Sequence, residues 1–181
     1  MSLLDSALAA HHAGISVIPI LSDGSKSPAC KWTPYQVDLP SEQTVTDWFG
    51  TGRFTGLAYV CGPVSNNLEL IDFDDANYQL FIDTAEALDL GPLLDRIRAG
   101  YEETTPSGGV HIVYTCDTIS GNTKLARRPT VPEERLHEKD LTRVLIETRG
   151  IGGYFIAAPS NGTVHPDGGA WEMVSGGVDS I

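Results

Sequence analysis

An α+β fold with mostly antiparallel or mixed sheet follows from three observations in this 181-residue sequence. Short apolar segments with strand-like alternation come in runs, and only a few stretches carry helical spacing. Turn formers such as "GP", "SGG" and "GIGG" separate them. The hydrophobic share of 41% is that of an ordinary globule, and the length fits one domain over residues 1–181.

The elements follow in chain order. Residues 2–13 place Leu3, Leu4 and Leu8 near one face and stop at Gly14, which suits a helix with a glycine cap. "ISVIPI" (15–20) is a strand in which Pro19 points to a sheet edge or a strand end. Ser41 caps a short helix over 42–49, stopped by Gly50. "GLAYVCG" (56–62) and "NLELIDFD" (67–74) are strands joined by "PVSN", which suggests a hairpin. Residues 76–99 divide into two helices at Gly91-Pro92. "YEETTP" and "GVHIVYT" are strands about a turn at Ser107-Gly108-Gly109. Residues 117–140 show weak periodicity and mixed charge, and are expected to form a long loop. "TRVLIET" (142–148), "GGYFIAAP" (152–159) and "AWEMV" (170–174) complete the strands.

Composition excludes several classes. No run of about 18 apolar residues exists to span a membrane, and residues 1–14 lack the basic start and apolar block of a signal peptide. Cys30, Cys61 and Cys116 are odd in number and form no C-x-x-C pair, so neither a zinc site nor a disulfide framework is indicated. A reducing, cytoplasmic setting is expected. A net charge of -12 argues against tight bulk attraction to duplex DNA. Seven of the twelve basic residues nevertheless fall late, from Lys124 to Arg149, which leaves room for a local basic surface or for a solvated loop.

Three constellations carry chemistry. In "LELIDFDD" (68–75) Asp72 and Asp74 stand at i and i+2, on one face of a strand. Two such carboxylates repel unless solvated, protonated or bridged by a cation, and their hard oxygens suit magnesium or manganese. The plainer alternative is a strand end with Asp75 as the N-cap of the next helix. In "TPSGGVHIVY" (105–114) His111 interrupts an apolar strand just after Ser107 and two glycines. Glycines let backbone amides approach an anion, and imidazole can donate to phosphate. A satisfied core histidine beside a plain glycine turn is the alternative. In "RVLIETRGIGGYFIAAPS" (143–160) Arg143, Leu145, Glu147 and Arg149 share one face. Glu147 and Arg149 are either a surface pair, or a further metal ligand and a phosphate-binding guanidinium.

The ordered set D-x-D, Ser-Gly-Gly-x-His and Glu-x-Arg-Gly, followed by Gly-Gly-Tyr and Ala-Pro-Ser, resembles the primase–polymerase (prim-pol) branch of the archaeo-eukaryotic primase superfamily. Flanking segments agree: "AHHAGISVIPI", "SKSPACKW", "TGLAYVCGPVSNNLELIDFD" and "PSNGTVHPDGGAWEMV" resemble the family's opening helix and strand, its Lys-x-Pro segment, its first catalytic strand and its closing hairpin. The resemblance covers nearly the whole chain. The histidines of "AHHAG" and "APS" in place of the commoner "PPS" depart from the pattern, as does the longer, more basic 117–140 stretch. None of these touches the acidic triad.

The resemblance implies an RNA-recognition-motif-like palm sheet with a catalytic face, packed with an N-terminal α/β unit. It implies Asp72, Asp74 and Glu147 as ligands of catalytic Mg2+ or Mn2+. Ser107 and His111 would meet the incoming nucleotide, with Arg149 and Lys26 beside them. The implied activity is metal-dependent, template-directed nucleotidyl transfer in replication of a phage, plasmid or mobile element. Its partners would be nucleoside triphosphates and single-stranded template and primer DNA, with a helicase region following in a larger replication protein. Lys124, Arg127 and Arg128 are candidates for nucleic-acid contact. The chemistry needs no protein nucleophile, and the sequence shows no Ser-His-Asp or Cys-His arrangement that demands one. Two rivals share the acidic cluster: a non-catalytic nucleic-acid- or origin-binding module on the same fold, and a metal-dependent nuclease, which needs no triphosphate pocket.

Overall fold

The computed structural model of the chain describes residues 2–74, 77–135 and 137–181. Its elements run α1 (Leu3–His12), β1 (Val17–Ile20), α2 (Glu42–Phe49), β2 (Gly56–Val60), β3 (Leu68–Phe73), α3 (Asn77–Ala87) and α4 (Gly91–Gly100). They continue through β4 (Tyr101–Thr104), β5 (Val110–Thr115), β6 (Thr123–Pro129), β7 (Thr142–Arg149), β8 (Tyr154–Ala157) and β9 (Glu172–Gly176). The strands make two antiparallel sheets, β1-β2-β8 and β6-β7-β3-β5-β4-β9. This is the expected α+β architecture.

Local chemistry explains the helix ends. Ser2 and Asp5 form a reciprocal capping box at the start of α1, and Gly14, at φ +80°, follows its last turn. Ser41 caps α2 by accepting from the Thr44 amide. Pro92 sits in the first turn of α4, where its missing N–H costs nothing. The N-cap expected at Asp75 lies outside the described residues.

The smaller sheet is buried on both faces, so β2 reads as an unbroken apolar run rather than an alternation. Leu57 and Tyr59 join α1, α2 and the larger sheet in one core. Ala58 and Val60 join Ile18, Ile156 and Trp171 in a second. Two serines of the sequence motifs knit these parts together. Ser65 accepts from the Ser16 amide and donates to the Val60 carbonyl, while Ser160 accepts from the Leu57 amide and donates to its carbonyl. Pro19 lies on β1, at the edge of the sheet, as its missing donor requires.

In the larger sheet the chain's strands β3, β4, β5 and β7 lie in the spatial order fourth-first-third-second, with α3 and α4 bridging β3 to β4. That is the split β-α-β arrangement of ferredoxin-like and RNA-recognition-motif-like sheets. Ile71, Phe73 and Ile112 face α3 and α4, where Leu94, Tyr78 and Phe81 meet them. Leu68, Leu70 and Val113 face the smaller sheet.

Two expectations need correction. Strands β2 and β3 are not a hairpin but belong to different sheets, packed face to face in one core, with an isolated bridge between Gly62, just after β2, and Leu68. The edges of β2 are taken by β1 and β8, and those of β3 by β5 and β7, so neither can accept the other. Gly62, Asn66 and Asn67 all take positive φ and redirect the chain between sheets. The 117–140 stretch is not a long loop either. It contains β6, which pairs with β7 through two irregularities. As a sheet-edge strand exposed on both faces, β6 has no hydrophobic face to write into its sequence.

Candidate active site

Register brings the functional side chains into one row. Asp72 on β3 pairs with Glu147 on β7 and with His111 on β5. His111 pairs in turn with Glu103 on β4, and Glu147 with Lys124 on β6. Directly opposed residues share a face with their Cβ atoms about 4.5–5.5 Å apart. A line of ionisable groups, Lys124–Glu147–Asp72–His111–Glu103, therefore crosses five strands, with the two carboxylates Glu147 and Asp72 side by side between basic groups. Leu68 and Leu70 lie on that same face of β3 but are fully covered by the smaller sheet. Asp72 and Asp74 emerge where that cover ends. This is why an apolar strand finishes in carboxylates.

A cleft of about 140 Å3 opens there, lined by Lys26, Asp72, Asp74, Ser107, His111 and Arg149. All six come from the residues singled out in the sequence. Tyr154 and Trp171 supply an aromatic wall that the sequence did not announce as functional. Lys26 reaches the cleft from a loop in which it takes a left-handed φ of 57°, its carbonyl held by the Tyr154 hydroxyl at 3.1 Å. The turn before β5 is equally constrained. Gly108 has φ +82°, and a Cβ on Gly109 would stand 2.5 Å from the Phe73 carbonyl. That close approach seats Ser107 beside the end of β3. Its hydroxyl lies 3.2 Å from that of Thr105.

The carboxylates are neutralised within the chain. Arg149 Nη2 donates to Glu147 Oε1 at 2.7 Å and to Asp72 Oδ2 at 3.4 Å. Its Nε is buried with no partner among the described residues. Burial pushes the Asp72 carboxyl upward, but His111 and Arg149 outweigh it and hold the group below its usual value. Burial likewise depresses Lys26, against the opposing pull of Asp72 and Asp74. His111 lies between two acids: Nδ1 is 2.7 Å from Glu103 Oε1 and Nε2 is 3.5 Å from Asp72 Oδ1. Burial disfavours its charge, yet the hydrogen bonds to Asp72 and Glu103 prevail and raise it to about 9.

Among the described residues, no three acidic, histidine or cysteine side chains converge closely enough to hold a metal ion as they stand. The donor chemistry still fits a hard divalent cation, because Asp72, Asp74 and Glu147 share one face. Arg149 Nη2 lies between two of these groups. A cation entering there would have to displace the guanidinium.

The basic candidates divide. Lys124 ends the charged row. Arg128, opposite Arg143, lies on the same face, whereas Arg127, opposite Val144, lies on the other. Arg128 makes a two-pronged contact with Glu134, one arm at 2.7 Å, and Arg143 reaches the same carboxylate at 3.5 Å. Glu103 is the functional candidate that sequence reading missed. It is a fully buried carboxylate on β4. Its one sequence signal is a position two residues after Tyr101, on the inward face of "YEET".

Among the described residues, no helix is long and apolar enough to cross a membrane. No curated protein matches the chain. A family model described as bifunctional DNA primase/polymerase, N-terminal, matches residues 7–180. With that match spanning nearly the whole chain, over a palm-like sheet that carries the three motifs in order, the protein belongs to the prim-pol family of DNA primase/polymerase domains.

Proposed function

We propose that this domain catalyses metal-dependent, template-directed nucleotidyl transfer in the replication of a phage, plasmid or mobile element. The observation that carries the reading is the direct cross-strand pairing of Asp72 with Glu147, with Asp74, Lys26 and Arg149 lining the same cleft as Asp72. In the reaction a primer 3′-hydroxyl attacks the α-phosphate in line, the new O–P bond forms, and pyrophosphate leaves. Asp72, Asp74 and Glu147 would hold Mg2+ or Mn2+, which supplies activation of the hydroxyl and stabilisation of the leaving oxygens. Lys26 and Arg149, which both line the cleft, meet phosphate oxygens. Ser107 and His111 Nε2 donate from the turn and from β5. Lys124 and the arginines of β6 lie along the same sheet edge and receive template or primer phosphates.

A non-catalytic nucleic-acid- or origin-binding module is favoured by one observation. Arg149 satisfies two of the three carboxylates without any metal. Primer extension with each nucleotide set and with Mg2+ or Mn2+ separates the readings. Extension that requires a divalent ion and disappears in Asp72→Ala supports the polymerase. Tight DNA binding with no extension under any condition supports the module.

A further inference from the structure

Glu103 is the most deeply buried charged group beside the cleft, with no exposed surface. It makes three short contacts, each of 2.7 Å. Oε1 meets His111 Nδ1, and Oε2 accepts from the Tyr101 hydroxyl and from the Ala158 amide. An ionised carboxylate is removed from water only where such donors replace its hydration. These donors come from β4, β5 and the end of β8, so Glu103 spans both sheets. Phe155 packs edge-on against the imidazole, with ring centroids 5.7 Å apart and planes at 83°. The ring is thereby held on two sides. Only Nε2, 3.5 Å from Asp72, is loosely held on the cleft side.

We infer that Glu103 is a positioning residue for nucleotide binding, orienting His111 so that Nε2 faces the phosphates in the cleft. Fixing one imidazole nitrogen with a carboxylate sets the direction of the other. A histidine without this anchor could turn about its side-chain torsions and lose its aim. The inference rests on the reading that His111 meets nucleotide phosphate. It adds that the contact depends on a carboxylate on another strand, which touches no substrate.

The distinguishing experiment is a double-mutant cycle on binding of ATP and dATP in the presence of Mg2+, with folding followed by thermal melting. A structural role and a positioning role differ in how Glu103→Gln behaves when His111 is absent. His111→Ala is expected to weaken nucleotide binding. Glu103→Gln should weaken it by about tenfold, the scale of one charge-assisted hydrogen bond. In the His111→Ala background, Glu103→Gln should cost nothing further. An equal loss in both backgrounds, or no loss in the single variant, overturns the inference and leaves Glu103 as a tie between the sheets. Parental affinity in His111→Ala overturns the reading of His111 itself, and the inference with it. If Glu103→Gln does not fold, Tyr101→Phe keeps the carboxylate but removes one of its donors. Its smaller loss must likewise vanish without His111; a loss that persists overturns the inference.

Discussion

Asp72 and Glu147 face each other across β3 and β7, and a single nitrogen of Arg149 bridges them. The guanidinium therefore occupies space that a divalent ion would need. Arg149→Ala is expected to raise Mn2+ affinity of the nucleotide-free domain several-fold, since close opposite charges compete for the same carboxylates. It should also weaken nucleotide binding. Titration calorimetry with Mn2+ checks the first point, and unchanged affinity would show that the carboxylates do not form the ion's site.

Asp72→Ala and Asp74→Ala should each abolish primer extension, Asp74→Ala with little effect on folding and Asp72→Ala with some loss of stability, because its carboxylate pairs with His111 and Arg149. Both side chains stand at the cleft rather than in a core. A melting midpoint within a few degrees of the parent is expected for Asp74→Ala. Full extension by the double variant with metal present would sink the catalytic assignment.

The charge on His111 makes stability depend on alkaline pH. Its folded value of about 9 lies above the ordinary 6.5. Its stabilising contribution is thus complete below pH 6.5 and is lost as pH rises through 9. Denaturant midpoints of the metal-free domain should fall across that window, and this component should be missing in His111→Gln. A flat profile in the parent would contradict a charged imidazole between Asp72 and Glu103.

Glu134 engages Arg128 and Arg143, and on the proposed function it would compete with phosphate for them. Arg128 above all, then the Val131 amide, with a smaller pull from Arg143, hold its carboxyl down at about 2. Glu134→Gln should raise affinity for single-stranded DNA, and steepen its salt dependence by up to about one unit for each further phosphate that the freed arginines neutralise. Replacing Lys124, Arg127 and Arg128 together by alanine should do the reverse. Arg127 points to the opposite face from the other two, so its single replacement should matter least. Binding isotherms over a salt series decide this. Unchanged slopes in both variants would place the template path elsewhere.

Gly109→Ala should destabilise the domain by about 1–3 kcal/mol, the usual cost of forcing extra volume into a packed site. Its added Cβ would meet the Phe73 carbonyl at 2.5 Å, a backbone atom that cannot turn aside. Because the same close approach seats Ser107 at the cleft, nucleotide affinity should fall with it. Chemical denaturation and nucleotide titration on the same sample test both parts.

Much of this protein was legible in its sequence, for local reasons. Caps such as Ser2 and Ser41, the break at Gly91-Pro92 and the turn at Ser107–Gly109 act over a few residues and leave direct marks. Strand alternation put Asp72 with Asp74, and Glu147 with Arg149, before any partner strand was known. Only the tertiary structure decided what faces what. Whether β2 continued into β3 as a hairpin depended on which edges other strands had already taken, and β1, β8, β5 and β7 had taken them all. Strand β6 stayed hidden because it buries neither face, so nothing in "TKLARRP" marks it until β7 supplies its hydrogen bonds. Glu103 stayed hidden for the opposite reason. A buried carboxylate is stable only once Tyr101, His111 and Ala158 have gathered around it, and two of those three come from other strands or their ends. Local propensity is written along the chain, whereas register and the pairing of buried charge come into being only when distant segments meet.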